Sequence, residues 1–159
     1  MSCPLQEEEQ GPRHFRLQLI AGVRRQVQRF VIDGAAFSSL EGFAEHFSER
    51  VLGGHTWQDN LDAFNDILRG GFGTPEEGFQ LIWVNSDLSR QKLRYTETVR
   101  QLQLRLESCH SSHRRRIEEE LEAANRCEGT TVFDWLVEII QDHGPEGSQS
   151  GDGVQLILQ

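Results

Sequence analysis

The stretch TWQDNLDAFND at 56–66 contains three aspartates and no basic residue. At about 100° per residue, a helix over about 58–68 brings the three carboxylates within about 60° of one another on one face, as Asp59, Asp62 and Asp66. The opposite face carries apolar side chains, those of Leu61, Phe64 and Leu68. Thr56 with Asp59 forms a capping-box pattern that would open this helix. The pattern predicts an acidic stripe on a helix that the core holds from the other side.

Carboxylates spaced in this way suit charge-assisted hydrogen bonds to a basic partner. Asp62 and Asp66 could also be read as an acid–base pair, but no histidine, lysine or metal motif accompanies them. CHSSH at 109–113 offers three metal-ligand side chains without a second pair, and we interpret it as a helical turn. GGFG at 70–73 lacks the lysine of a phosphate loop. We therefore expect no catalytic residue, cofactor or metal site.

The charge of the chain is unevenly distributed along its length. The 159 residues carry a formal net charge of −9 at pH 7. Between Ser38 and Gln80 there are eight acidic residues against two arginines, whereas Arg13 to Arg29 carries five arginines and no acid. Binding to nucleic acid depends on clustered bases, so the acidic centre argues against a direct nucleic-acid partner. It favours a basic protein.

The sequence predicts a cytoplasmic protein. No apolar run approaches the roughly 18 residues of a membrane span. The N-terminus MSCPLQEEEQ lacks the basic and apolar regions of a secretion signal. Three widely spaced cysteines, Cys3, Cys109 and Cys127, suit free thiols in a reducing compartment.

The N-terminal half of the chain begins with a flexible lead at 1–12. HFRLQLI at 14–20 alternates apolar and polar residues like a half-buried strand, and Ala21-Gly22 could turn it back toward a strand at 27–33. Ser38 with Glu41 forms a capping-box pattern that predicts a helix as far as Val51. The acidic helix follows and ends at Gly70–Gly71.

The C-terminal half combines two short apolar runs with helical patterns. FQLIWV at 79–84 and VQLILQ at 154–159 predict buried strands, the first covered on both faces. One long helix is expected from Ser86 or Asp87, with a seam of apolar residues at Leu88, Tyr95, Val99, Leu102 and Leu106. The sequence predicts a charged helix at 114–126 after the interruption, and a further helix from Thr131 to near Gly144. Trp83 and Trp135 are expected in the core.

Strands separated by helices predict an α/β fold, because parallel neighbours need crossover connections. The expected architecture is a small three-stranded parallel sheet flanked by helices, with an N-terminal extra strand or hairpin. A long helical section includes about 95–128. Residues 13–159 would then form a single domain.

Four segments in this order resemble the barstar family, the intracellular inhibitors of barnase-type ribonucleases. They are FVIDG at 30–34, NLDAFND at 60–66 with ILRGGFG after it, LIWVNSDLSR at 81–90, and VFDWLVEIIQDHG at 132–144. The resemblance covers roughly 30–93 and 130–158, and it implies that the helical section at about 95–128 is an insertion. It implies a protein without catalytic activity, whose acidic helix and preceding loop plug the active site of a basic ribonuclease.

The resemblance also implies a set of contact residues. Asp62 and Asp66 match the principal acidic contacts of the family. The neighbouring contact positions of the family correspond to Asn60, Leu61, Asn65, Gly70 and Gly71. Thr56-Trp57-Gln58 stands where the family carries paired aromatics followed by glycine. Trp57 and Phe72 could supply apolar contacts, with a core position the alternative for Trp57. The acid contributed by the last helix would be Glu138 or Asp142.

We therefore expect a stoichiometric inhibitor, or immunity protein, for a barnase-like ribonuclease or RNase toxin. Asp66, deepest along the stripe, would be the costliest residue to remove. The alternative is a non-inhibitory interaction module that binds a partner helix through the insertion at 95–128.

Overall fold

The computed structural model describes residues 26–159. The flexible lead predicted at 1–12 and the strand predicted at 14–20 lie outside these residues. The described elements are β1 (Gln28–Asp33), α1 (Leu40–Val51), α2 (Leu61–Leu68), β2 (Phe79–Val84), α3 (Ser86–Lys92), α4 (Tyr95–Ser108), α5 (Ser111–Asn125), α6 (Val132–Asp142), a 3-10 turn (Ser150–Asp152) and β3 (Gln155–Leu158).

The described strands form the predicted three-stranded parallel sheet, in the order β1-β2-β3. Phe79, Leu81 and Trp83 of β2 are buried, whereas the alternate residues are only partly covered. The expectation that β2 is buried on both faces was therefore wrong. Among the described strands β3 pairs only with β2, and none of its four residues is fully buried. The prediction of a buried C-terminal strand was also wrong, because β3 lies at the edge of the sheet.

Aromatic side chains form the centre of the core. Phe64 of α2 is fully buried and its ring stacks on that of Trp57 at a centroid distance of 4.6 Å. Phe43 and Phe47 of α1 meet the same Phe64 ring edge-on at 5.7 and 5.1 Å. Phe43 also contacts Trp83 of the central strand at 5.3 Å. The acidic helix is thus joined to both α1 and the sheet through aromatic contacts.

Helix α1 begins one residue later than the capping pattern predicted. Its N-cap is Ser39, whose Oγ accepts a hydrogen bond from the backbone N–H of Gly42 at 3.1 Å. Glu41 does not close a capping box with Ser38; its carboxylate instead pairs with Arg100 of α4. Glu41, which the local pattern assigned to the start of the helix, therefore forms an ion pair with a residue far away in the sequence.

The long helix predicted from Ser86 is divided into α3 and α4. Leu93, fully buried, ends α3, and its carbonyl accepts a hydrogen bond from the N–H of Phe133 at 3.3 Å. Leu88, expected on the apolar seam, is instead 40% exposed. Burial of Leu93 and its bond to α6 redirect the chain at this point.

Helices α4 and α5 pack against each other within the section predicted to be an insertion. On the other side of α4, Glu97 accepts a hydrogen bond from the N–H of Leu40, and Thr98 accepts one from the N–H of Val132. α4 therefore caps the starts of both α1 and α6. α5 keeps its exposed charges paired along its own length, in Arg114–Glu118, Arg115–Glu119 and Arg116–Glu120.

Helix α6 begins as predicted, with Thr131 and Asp134 forming a complete capping box. Trp83 is fully buried as expected, whereas Trp135 on α6 is only partly buried against the core. No helix within residues 26–159 combines the length and hydropathy that a membrane span requires.

The aromatic cluster predicts a contrast between two phenylalanines near the acidic helix. Phe64→Ala should lower the free energy of unfolding by about 3–5 kcal/mol, because it leaves a cavity among close-packed rings. Phe72→Ala, at a side chain that is 49% exposed, should change it by no more than about 0.5 kcal/mol. Urea denaturation of both variants checks this. A loss of similar size at both positions would show that α2 is not held through Phe64.

Candidate functional site

Helix α2 starts at Leu61, later than predicted. Its N-cap is Asn60, whose Oδ1 accepts hydrogen bonds from the N–H groups of Asp62 at 2.9 Å and Ala63 at 3.4 Å. The capping box predicted for Thr56 and Asp59 does not form. Asp59 has a left-handed backbone with φ +45°, which ends the preceding loop rather than beginning a helix. Asp59 therefore does not belong to the acidic stripe that was predicted on this helix.

The two remaining aspartates lie on the exposed face of α2. Phe64 and Leu68 are buried on the opposite face, as the spacing predicted. The Asp66 side chain is 70% exposed and its Oδ1 pairs with Arg69 at 3.0 Å. The exposed Asp62 side chain has no hydrogen-bond partner within the described residues. We call Asp62 and Asp66 the acidic face.

Trp57 lies beneath the start of α2 rather than on its surface. It is only 6% exposed, and its Nε1 donates a hydrogen bond to the Asn60 carbonyl at 2.8 Å. Stacking on Phe64 leaves the ring little surface for a partner. Of the two alternatives for this residue, the structure favours the core position, from which Trp57 orients the N-cap of α2.

The turn after α2 presents Phe72 to solvent. Gly70 and Gly71 both have positive φ, and a Cβ on Gly70 would lie 2.7 Å from Cα of Glu76. These conformations require glycine, and they fold the chain back so that the Gly71 N–H bonds to the Thr74 carbonyl at 3.1 Å. The Phe72 ring lies beside that of His55, with centroids 5.4 Å apart.

A polar network that the sequence analysis missed lies behind α2. Asn65 Oδ1 is 2.9 Å from His143 Nε2 and accepts a hydrogen bond from Gln149 at 3.0 Å. His143 is fully buried, and its Nδ1 lies 2.6 Å from an Asp152 carboxylate oxygen. Gln149 Oε1 also accepts a hydrogen bond from Arg69 at 2.9 Å. No local spacing signals the contacts of Asn65 and Arg69, because they join residues about eighty positions apart.

The two acids suggested on α6 have different environments. Asp142 accepts hydrogen bonds from Gln149 Nε2 at 3.0 Å and from the Ser148 hydroxyl and N–H at 2.8 and 2.9 Å. The bond from Gln149, and then those from Ser148, lower the pKa of Asp142 to about 2. Glu138 is exposed and lines the same hollow as Leu61. Of the two, only Glu138 is left with a carboxylate free of these internal bonds.

The structure thus leaves part of the predicted contact set accessible to solvent. Thr56, Asn60, Asp62, Asp66, Gly71, Phe72 and Glu138 are exposed, and Leu61 and Gly70 are partly so. Asn65 and Asp142 are engaged in internal hydrogen bonds and Trp57 is buried. Asn65 is better described as a residue that holds α2 in place.

A family model described as barstar, the barnase inhibitor, matches residues 27–122. The chain belongs to the barstar family. The match takes in β1, both α1 and α2, β2 and most of the α4–α5 pair. α6 and β3 lie beyond it, and β3 completes the sheet by pairing with β2. Comparison with curated proteins found no match to the chain.

The bonds to Asp142 predict a pH-dependent contribution to the stability of this barstar-family domain. Its pKa in the folded state lies below the value of about 3.9 expected in the unfolded chain. The ionised carboxylate therefore stabilises the fold above about pH 4, and this contribution is lost as the pH falls toward about 2.

Wild type should accordingly be more stable than Asp142→Asn near pH 6, with the difference shrinking between about pH 4 and pH 2. Denaturant unfolding of both proteins across this range measures it. Asp62→Asn controls for the change in net charge. A difference between wild type and Asp142→Asn that stays constant with pH would contradict the assignment.

Proposed function

We propose that this chain is a stoichiometric inhibitor of a barnase-type ribonuclease or RNase toxin, and that the acidic face covers the basic active site of that enzyme. The observation that carries the proposal is the placement of Asp62 and Asp66. Both are exposed, one helical turn apart, on a helix whose other face is buried in the core. Membership of a family described as barnase inhibitors gives the partner class.

The chemistry of a ribonuclease explains why such a surface would inhibit it. An enzyme that cleaves RNA gathers basic side chains around the scissile phosphate, so its cleft has a positive potential. Carboxylates held at suitable positions accept charge-assisted hydrogen bonds from those side chains in place of the phosphates. Opposite potentials also accelerate encounter, an effect for which the barnase–barstar pair is itself the reference case.

Residues around the acidic face would complete the contact. Phe72, nearly half exposed beside Gly71, offers an apolar side chain at one end of α2. Leu61 and Glu138 lie together at the other end. The proposed contact set is Thr56, Asn60, Leu61, Asp62, Asp66, Gly70, Gly71, Phe72 and Glu138. Trp57, Asn65 and Asp142 act by holding these residues in position.

The proposed inhibitor has no catalytic role of its own and works in the cytoplasm. The described cysteines, Cys109 and Cys127, are free thiols, which suits a reducing compartment. The alternative, an interaction module that binds through the helical insertion, gains no specific support. Three arginines and three glutamates on the outer surface of α5 are paired within the helix.

Removal of the acidic face should abolish tight inhibition. Asp62→Ala/Asp66→Ala is expected to weaken binding to barnase by at least about 100-fold, since truncating one partner of a buried, hydrogen-bonded charge pair costs about 2–5 kcal/mol or more. The single variants should rank with Asp66→Ala the more damaging. Inhibition of RNA hydrolysis by barnase, titrated at low and raised salt, measures the effect.

A matched variant, Asp87→Ala/Glu122→Ala, removes the same charge from two exposed acids outside the proposed surface. It should inhibit nearly as well as wild type. If both double variants lose inhibition equally, overall charge rather than the acidic face governs binding. If neither loses it, the acidic face is not the contact.

A further inference from the structure

A groove of about 550 Å³ separates the start of α2 from α4. Asp59, Leu61 and Asp62 lie along one wall, and Leu104 and Arg105 of α4 along the other. A second hollow of about 500 Å³ shares Leu61 and Arg105 with the first and reaches Glu138 of α6. The groove is therefore continuous with the proposed contact surface, because Leu61 and Asp62 belong to both and the adjoining hollow reaches Glu138.

An apolar side chain is exposed on the α4 wall. Leu104 is 43% exposed, although it lies in a helix whose neighbouring Leu102 is almost fully buried. The partly buried Leu61 lies across the groove. An apolar side chain that entered between these two leucines would exclude water from both of them. Such desolvated apolar contacts are typical of the centre of protein interfaces.

The carboxylates in the groove are only partly balanced by neighbouring bases, since Arg105 lies within electrostatic reach of Asp62. Within the described residues, neither Asp59 nor Asp62 has a side-chain hydrogen bond or ion pair. Partial burial, and then the negative charge of Glu41, raise the pKa of Asp59. Arg105 is the one base lining the groove among these residues, and its guanidinium lies over the Trp135 ring, 4.5 Å from the centroid. A cation entering the groove would relieve the repulsion at Asp59.

The α4 wall is held rigidly from behind. Glu97 accepts hydrogen bonds from Arg100 at 2.8 Å and from Gln101 at 2.9 Å. Gln101 also donates to Glu41 of α1 at 3.0 Å, and Arg100 pairs with the same carboxylate. This network fixes α4 against α1, so the groove is formed before any partner binds, which lowers the entropic cost of filling it.

We propose that the groove receives a segment of the same ribonuclease that the acidic face covers, so that α4 forms the second wall of the inhibitory interface. The segment carries an apolar side chain that packs between Leu61 and Leu104, next to a lysine or arginine that faces Asp59 and Asp62. The inference rests on the proposed function and extends it, because it assigns α4 to the recognition of the enzyme.

The test replaces an exposed leucine by arginine at two places. Leu104→Arg puts a long cationic side chain into the groove, where it both fills the space and repels the basic segment. Leu88→Arg makes the same change on α3, at a leucine of similar exposure, 40%, that does not line the groove. Both positions are on the surface, and circular dichroism verifies that each full-length variant is folded.

Affinity for barnase is measured for wild type, both arginine variants and Asp62→Ala/Asp66→Ala. We expect Leu104→Arg to weaken binding at least tenfold and Leu88→Arg to change it less than twofold. Amide hydrogen exchange in the wild-type complex should slow at 101–108 as well as in α2.

Three other outcomes overturn the inference in distinguishable ways. If Leu104→Arg binds like wild type while Asp62→Ala/Asp66→Ala does not, the groove is empty in the complex and the proposed function stands. If both arginine variants weaken binding equally, the effect is one of overall charge and the groove has no part in it. If wild type does not inhibit barnase, the proposed function and the groove proposal fall together.

Discussion

The acidic surface of this protein depends on the burial of one side of α2 in an aromatic cluster. The Phe64 ring is stacked on Trp57 and meets Phe43 and Phe47 edge-on. Close-packed interiors resist displacement, so the helix has little freedom to shift or rotate. Asp62 and Asp66, on the other side, are therefore presented in a defined geometry. A partner that binds them avoids most of the entropic cost of ordering the helix.

Directional polar contacts complement the apolar ones. Asn65 receives hydrogen bonds from the loop before β3, while Arg69 reaches Gln149 in that same loop. Hydrophobic burial is non-directional, whereas hydrogen bonds set the rotation of the helix about its axis. Within the described residues no buried side-chain nitrogen or oxygen is left without a partner. The network thus adds orientation without the cost of an unsatisfied polar group.

Helix α4 links the fold to the proposed recognition surface. On one side Glu97 and Thr98 complete the starts of α1 and α6. On another side Leu104 and Arg105 form a wall opposite α2. A segment that looks like an added helical section in the sequence therefore supports two helices of the fold through hydrogen bonds. Removing it would disturb the starts of α1 and α6, whereas point changes on its exposed side leave these supporting contacts intact.

The sequence by itself determined the elements whose patterns depend on near neighbours. The alternation and spacing of apolar residues were enough for three parallel strands and for the buried side of α2, and Thr131 was recognisable as the residue that opens α6. Only the tertiary structure decided the break at Leu93 and the burial of Trp57. It also decided the His143–Asn65–Gln149 network. Each of these depends on contacts between residues far apart in the chain, which local periodicity does not encode.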